Sequence, residues 1–313
     1  MKRLKIYSFP DKSPEYLQLQ IDSYRKYMDD GNTDLIIINA SSLNRDEIDN
    51  ICEYNNIEVI QYEGDRNTVF ANYYVNQLNW FRDKIQSNVS DYILLIHSDM
   101  FFIDSLDYKK LMSSKKLYFC PQYRNKMAGY FPPNGFDYFY MWDGTVLFDS
   151  EYFNSNGLTS GFIWDRIFGI SDVGGETYKL LKKIDKSIFG YVEMWNVYNI
   201  DNNIFDTHLN GNLRISFNID SNRLFLVDFN KYYDVKKSFE YENDIDDYES
   251  YYIKTFLNIK SKYIDGYSFP SPIHIDLISM FNDESNPFLL HFKSGSGYRN
   301  MGKLEEVKKI VNK

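Results

Sequence analysis

Cysteine is nearly missing: the 313 residues contain two, Cys52 and Cys120, each beside apolar or aromatic neighbours and neither in a Cys-x-x-Cys pair. A disulfide framework or a thiolate metal site is therefore not expected, and a reduced, cytoplasmic setting is. Long apolar runs are missing as well. No stretch approaches the roughly 20 apolar residues of a membrane span, and the run Ile6 to Phe9 behind the basic start is too short for a signal-peptide core. Basic stretches are also lacking, since 35 Lys plus Arg face 44 Asp plus Glu for a formal charge of −9. This argues against a phosphate-tracking protein, and no nucleic-acid partner is expected. Internal repeats, low-complexity linkers and Pro/Gly-rich boundaries are not found, which favours one continuous unit over separable domains. What the chain has in excess is rings: 28 Tyr, 24 Phe and 4 Trp make 18% aromatic at a mean hydropathy of −0.48. Such rings serve as core, as interface, or as flat surfaces that stack on sugars or bases.

The first hundred residues alternate strand and helix. Leu4 to Phe9 reads as a strand ended by Pro10, and Ser13-Pro14 as an N-cap followed by proline at the first helical position. Leu17, Ile21, Tyr24 and Met28 then fall at helical spacing, predicting a helix to about Asp30 that stops at Gly31-Asn32. Asp34 to Asn39 is the continuous apolar run of a buried parallel strand. Asn44 and Glu47 have the spacing of a capping box ahead of the stripe Ile48, Ile51 and Cys52, and Ile57 to Ile60 follows as a strand. Phe70, Tyr74, Leu78, Phe81 and Ile85 lie on one face of a third helix. Tyr92 to Ile96 is another buried strand, and it ends in His97-Ser98-Asp99. This alternation predicts an α/β fold whose ligands sit beyond the carboxyl ends of the strands.

On an extended segment His97 and Asp99 point to the same side, so an imidazole and a carboxylate could converge on one divalent cation. The alternative is that Asp99 caps the next turn and His97 is a satisfied buried histidine.

The runs DLIIINASS, IEVIQYEGDRN and DYILLIHSDMFFID together resemble the nucleotide-sugar half of a glycosyltransferase of the GT-A fold, of the family 2-like kind. The resemblance implies a Rossmann-like, mostly parallel mixed sheet flanked by helices, in a single catalytic domain with a C-terminal extension. The parts it implies are 1–110 for the nucleotide sugar, 111–225 for the acceptor, and 226–313 returning to the active site. In that family an Asp-x-Asp motif at the strand end holds a divalent metal on the donor diphosphate. Here His97-Ser98-Asp99 stands in its place, so Asp99 inherits the ligand role and His97 occupies the first acidic position. Asn39-Ala40 replaces the family's acidic pair after the second strand, and Ser8 and Pro10 resemble the opening donor-pocket loop. A donor site of Ser8, Pro10, Asn39 and Asp99 follows.

Leu289-Leu290-His291-Phe292-Lys293-Ser294-Gly295 is a short apolar strand followed by a metal-ligating type of side chain, a cation and flexible backbone. It resembles the late segment of metal-dependent members, with His291 completing the metal set of Asp99 and His97, and Lys293 and Gly295 on the diphosphate. The alternative is a surface turn with an incidental histidine. For the acceptor, Trp142-Asp143 and Trp164-Asp165 pair an indole with a carboxylate, a combination that can stack a sugar face and bind its hydroxyls. A tryptophan in a chain of this length is as readily core. Asp172-Val-Gly-Gly-Glu176-Thr177 resembles the Gly-Gly-Glu segment of some inverting members, which implies Glu176 or Asp172 as general base. Glu176 could equally be an acid in the first turn of a helix from Thr177 to Lys183.

His208 and His274 have no partner at metal spacing and read as structural, and the acid-rich run Phe239 to Glu249 reads as a solvated loop or helix face. Lys303 to Lys313 predicts a charged terminal helix with Leu304, Val307 and Val311 on one side.

The expectation is a metal-dependent, inverting transferase using Mn²⁺ or Mg²⁺, with a UDP or GDP sugar as donor and a carbohydrate or glycoconjugate as acceptor. The rival readings are a non-catalytic glycan-binding protein on the same scaffold and a sugar nucleotidyltransferase. The latter is disfavoured because the N-terminal loop lacks a Gly-rich phosphate cradle.

Overall fold

Strand β1 (Leu4–Ser8) forms where apolar residues are buried on both faces, with parallel neighbours on either side: β2 (Thr33–Asn39) and β4 (Tyr92–Ile96). β3 (Glu58–Gln61) adds to β2 as a parallel edge strand and is correspondingly less buried. These elements belong to a computed structural model that describes residues 2–10, 14–64, 70–122, 140–166, 173–201, 204–208, 213–218, 223–228, 234–239, 257–265, 274–280, 286–292 and 303–313. The chain divides into two compact units, one of Met1–Ser98 with Leu106–Val192, the other of Asp99–Ser105 with Glu193–Lys313.

In the first unit helices α1 (Pro14–Tyr27), α2 (Arg45–Tyr54) and α3 (Phe70–Lys84) connect the parallel strands. After β4 the chain runs through β5 (Met100–Phe102), which belongs to the second unit. It returns in α4 (Tyr108–Ser114), β6 (Leu117–Gln122), β7 (Tyr140–Asp149), α5 (Ser150–Ser155), α6 (Tyr178–Leu181) and the start of β8 (Phe189–Asp201). β7 lies antiparallel between β4 and β6, and β6 pairs in parallel with β8. The strand order is β3-β2-β1-β4-β7-β6-β8, and β7 alone runs against the others among the described residues. This is the expected mixed, mostly parallel α/β sheet with helices on it. All ten residues of β7 are buried, so the segment around Trp142 is a central strand, which its sequence did not announce.

The core of this unit is aromatic. Tyr7 packs edge-on against Phe81 with ring centroids 4.8 Å apart, and Phe148, Phe153 and Phe162 form a triangle with Trp164 beyond it. Aromatic pairs of these edge-on and tilted kinds add roughly 0.5–1.5 kcal/mol each beyond area burial.

Some local expectations are corrected. α1 ends at Tyr27 rather than near Asp30, and Gly31 then takes φ +76°. The capping box does not form, because the Asn44 side chain makes no cap bond; Ser41 Oγ instead accepts from the Asn44 N–H at 2.9 Å. The helix expected from Thr177 to Lys183 is a 3-10 turn over Gly175–Thr177 followed by α6. The expected N-cap Ser13 and the side chains of Phe70, His208 and His274 lie outside the described residues, as does most of the acidic run.

The second unit is antiparallel. The latter part of β8 pairs with β9 (Ile204–His208), which continues into β10 (Leu213–Asn218), β11 (Arg223–Asp228) and β12 (Asp234–Phe239). A second set joins β13 (His274–Met280) to β14 (Leu289–Phe292) and β14 to β5. The terminal helix α7 (Leu304–Val311) buries Val307, Ile310 and Val311, so Ile310 takes the place expected for Leu304.

Candidate metal centre

β14 brings His291 between two carboxylates of the second unit. In the antiparallel register Asp276 of β13 stands directly across from His291, and Met100 of β5 lies opposite His291 on the other side. Side chains directly opposite one another project to the same face, so Asp276 meets the imidazole: Nδ1 donates to Asp276 Oδ2 at 2.9 Å. Asp99, immediately before β5, is fixed by its own backbone, whose carbonyl accepts from the Phe292 N–H at 2.8 Å. Its Oδ1 lies 3.4 Å from His291 Nε2. All three groups are buried, Asp276 completely.

Burial alone would depress the imidazole pKa, but the Asp99 charge and the Asp276 hydrogen bond outweigh it and hold His291 up at about 9. Two carboxylates around one imidazole leave excess negative charge in a buried place, and buried charge is tolerated where it is paired or binds a cation. An imidazole whose second nitrogen is anchored by a carboxylate is the usual construction of a metal-binding histidine. Asp99 and His291 thus come together as expected. Asp276 was missed, although a lone carboxylate inside the apolar run Ile275 to Met280 signals a buried charge with a partner.

In the first unit several expected residues gather at one end of the sheet. Ser8 closes β1, paired with Ile37 of β2 and Ile96 of β4, and Ile96 in turn faces Thr145 of β7. The chain winds in opposite directions on the two sides of β1, so the β1/β4 edge is a topological switch point, where open α/β sheets bind ligands. Ser8 Oγ is fully buried and has no hydrogen-bond partner among the described residues. Pro10 is buried just beyond it. Asn39 is used structurally: its amide donates to the Arg45 carbonyl and to Asp49 Oδ1, and its Oδ1 accepts from the Ser41 N–H.

His97 follows β4 and is held on three sides. Its Nε2 lies 3.2 Å from Asp143 Oδ2, and the rings of Tyr74 and Trp142 meet it edge-on. Its carbonyl accepts from Gln20 of α1. Asp143 is therefore a partner of His97. Gly144 is required beside it, since a Cβ there would stand 2.3 Å from the Trp142 indole.

The other tryptophan pair differs. Trp164 is fully buried against Phe162, so its faces are taken by protein, and the proposed stacking platform is core. Asp165 is exposed and accepts from the Arg166 N–H. Glu176 sits in a turn docked on β7: its N–H donates to the Asp165 carbonyl, Thr177 Oγ1 accepts from the Met141 N–H, and the Glu176 carboxylate pairs with Lys179. Gly174 has φ +93°, and a Cβ there would stand 2.2 Å from the Met141 carbonyl oxygen. Gly174 therefore serves close docking on β7. Asp172, Lys293 and Gly295 lie outside the described residues. No helix among the described residues is long and apolar enough to cross a membrane.

The fold and this centre define a class: a mixed α/β sheet with a switch point, followed along the chain by a buried carboxylate and imidazole suited to a divalent ion. No protein-family profile matches the chain, and no curated protein sequence does. Solved structures show likenesses. The chain is similar to the WbbM bifunctional glycosyltransferase in its apo form, at 12% identity and a TM-score of 0.40 over 60% of this chain and 38% of that one. It is similar to the galactosyltransferase LgtC in complex with donor and acceptor sugar analogs, at 14% identity and a TM-score of 0.39 over 60% of this chain and 72% of that one. A third likeness is the glycosyltransferase GlyE of Streptococcus pneumoniae TIGR4 in its apo form, at 10% identity and a TM-score of 0.36, covering 61% of this chain and 44% of that one. The match thus spans well under half of the WbbM chain.

Proposed function

We propose that the protein transfers a sugar from a nucleoside-diphosphate sugar to a hydroxyl acceptor, with a divalent cation held by Asp99 and His291. The observation that carries the reading is the Asp99–His291 pair at 3.4 Å with Asp276 on the far imidazole nitrogen. A carboxylate oxygen and an anchored imidazole nitrogen fit Mn²⁺ well and Mg²⁺ less well. Such a cation, when bound, neutralises charge that develops on a leaving diphosphate. Asp99 follows β4 closely along the chain. In the first unit, Ser8 with its buried hydroxyl is the proposed donor-binding group, while Asn39 supports the loop after β2.

The assignment rests on Asp99 and His291; His97 has its Nε2 3.2 Å from Asp143 Oδ2. Glu176 is the acceptor-side acid of the proposal. Its pairing with Lys179 through Oε2 places a cation beside the carboxylate, and the proposal has Glu176 take the acceptor proton from there. UDP and GDP sugars are the proposed donors, and a carbohydrate or glycoconjugate is the proposed acceptor.

The test is release of nucleotide from a panel of nucleotide sugars by the purified chain, with Mn²⁺ and with EDTA. Turnover of one donor that EDTA and Asp99→Ala both abolish is expected. Normal turnover by Asp99→Ala would place the chemistry elsewhere, and no turnover or binding of any donor would leave a glycan-binding protein as the better reading.

A further inference from the structure

We propose that Asp276 is the positioning residue of this centre, fixing the His291 imidazole so that Nε2 is the ligating nitrogen and the site prefers a transition ion over Mg²⁺. The inference rests on the metal reading above and adds a residue to it. Asp276 cannot act by touching a cation through the atoms that hold His291, because its Oδ2 is bonded to Nδ1 at 2.9 Å, on the side of the ring away from Asp99. The two strands leave little freedom: Asp276 and His291 share one rung of the β13/β14 ladder, and Phe292 is tied through its N–H to the Asp99 carbonyl.

Three consequences follow from that geometry. The proton on Nδ1 is committed to Asp276, which leaves Nε2 as the nitrogen whose lone pair is offered on the Asp99 side once a metal displaces its proton. The ring plane is set before any ion arrives, so binding need not order the His291 imidazole. The negative charge on Asp276 raises the basicity of the imidazole as a ligand. A nitrogen donor of this kind favours Mn²⁺ over Mg²⁺, which takes oxygen ligands and keeps its waters. A buried aspartate in a largely apolar strand costs free energy to keep, and a role in orienting the His291 ligand accounts for its presence.

The experiment measures Mn²⁺ binding to the full chain by electron paramagnetic resonance, with Mg²⁺ as competitor, for wild type, Asp276→Asn and Asp276→Leu, after near-ultraviolet dichroism has shown each to be folded. Asp276→Leu is expected to weaken Mn²⁺ about 10–100-fold and to lower the Mn²⁺/Mg²⁺ preference. Asp276→Asn, whose amide oxygen can still accept from Nδ1 without the charge, should lie between. The isosteric Asn variant keeps the test decisive if the Leu variant does not fold. A folded Asn variant that binds Mn²⁺ within twofold of wild type, with the same preference, overturns the positioning role and leaves the metal reading standing. Wild type that binds no Mn²⁺ overturns the metal reading itself.

Discussion

Replacing His291 by alanine removes the group that both buried carboxylates of the centre share. In the metal-free protein Asp276 loses the hydrogen bond at 2.9 Å and Asp99 loses the ion pair at 3.4 Å. Neither can turn to water, since Asp276 is fully buried and Asp99 nearly so. Breaking a buried pair by deleting one partner costs about 3–5 kcal/mol, and the small cavity left by the ring adds to it. A loss of about 4 kcal/mol corresponds to a fall in midpoint of roughly 10 °C for a chain of a few hundred residues. Calorimetry in EDTA reads this directly, because no metal then contributes. Adding Mn²⁺ should raise the wild-type midpoint and leave the variant unmoved. A metal-free variant melting within about 2 °C of wild type would refute the reasoning, since His291 would then not be compensating buried charge.

Acid should expose a second electrostatic site. Burial alone would raise the Asp149 pKa, but hydrogen bonds from Lys2, the Tyr152 N–H and Lys116 lower it below the ordinary value. Its contribution is therefore present above the unfolded value near pH 4 and is lost as pH falls through the lower folded value. Asp149→Asn should cost about 1 kcal/mol at pH 7, discounted because both lysines reach solvent, and the two proteins should converge in denaturant titrations as pH falls through the lowered folded value. Gly174→Ala combines a positive φ with a clash on the Met141 carbonyl and should cost about 3 kcal/mol, read as a shifted urea midpoint. Glu176→Gln should leave stability within about 0.5 kcal/mol, since Lys179 is a half-exposed partner, while turnover falls and donor binding stays. Unchanged turnover would remove Glu176 from the chemistry.

The parallel part of the sheet is legible because strands buried on both faces are written as unbroken apolar runs, as in Thr33–Asn39 and Tyr92–Ile96. Helix α3 is legible by its stripe, with Leu78 and Phe81 fully buried. β7 is not, because Trp142, Asp143 and Gly144 interrupt its run with residues that look like a binding loop. They belong there because Asp143 meets His97 and Gly144 makes room for the Trp142 ring. Trp164-Asp165 carries the same signature and folds differently: its indole goes to the core. A dipeptide does not say which side of a sheet its ring will take. The aromatic excess therefore marks core packing more than a cleft among the described residues, with Phe119, Phe148, Phe153, Phe162 and Trp195 all buried. Asp99 and His291 are visible from their flanking apolar strands. Asp276 emerges only once the β13/β14 register sets it opposite His291.

The central claim is that Asp99 and His291 hold a cation that supports nucleotide-sugar binding. Its most direct measurement is the thermal midpoint of the full chain with UDP, GDP or CMP, each with and without Mn²⁺, for wild type and Asp99→Ala. The account predicts that one nucleoside diphosphate raises the wild-type midpoint only when Mn²⁺ is present and that Asp99→Ala loses the shift. A shift that is independent of Mn²⁺ and survives Asp99→Ala, or no shift with any nucleotide, would contradict it.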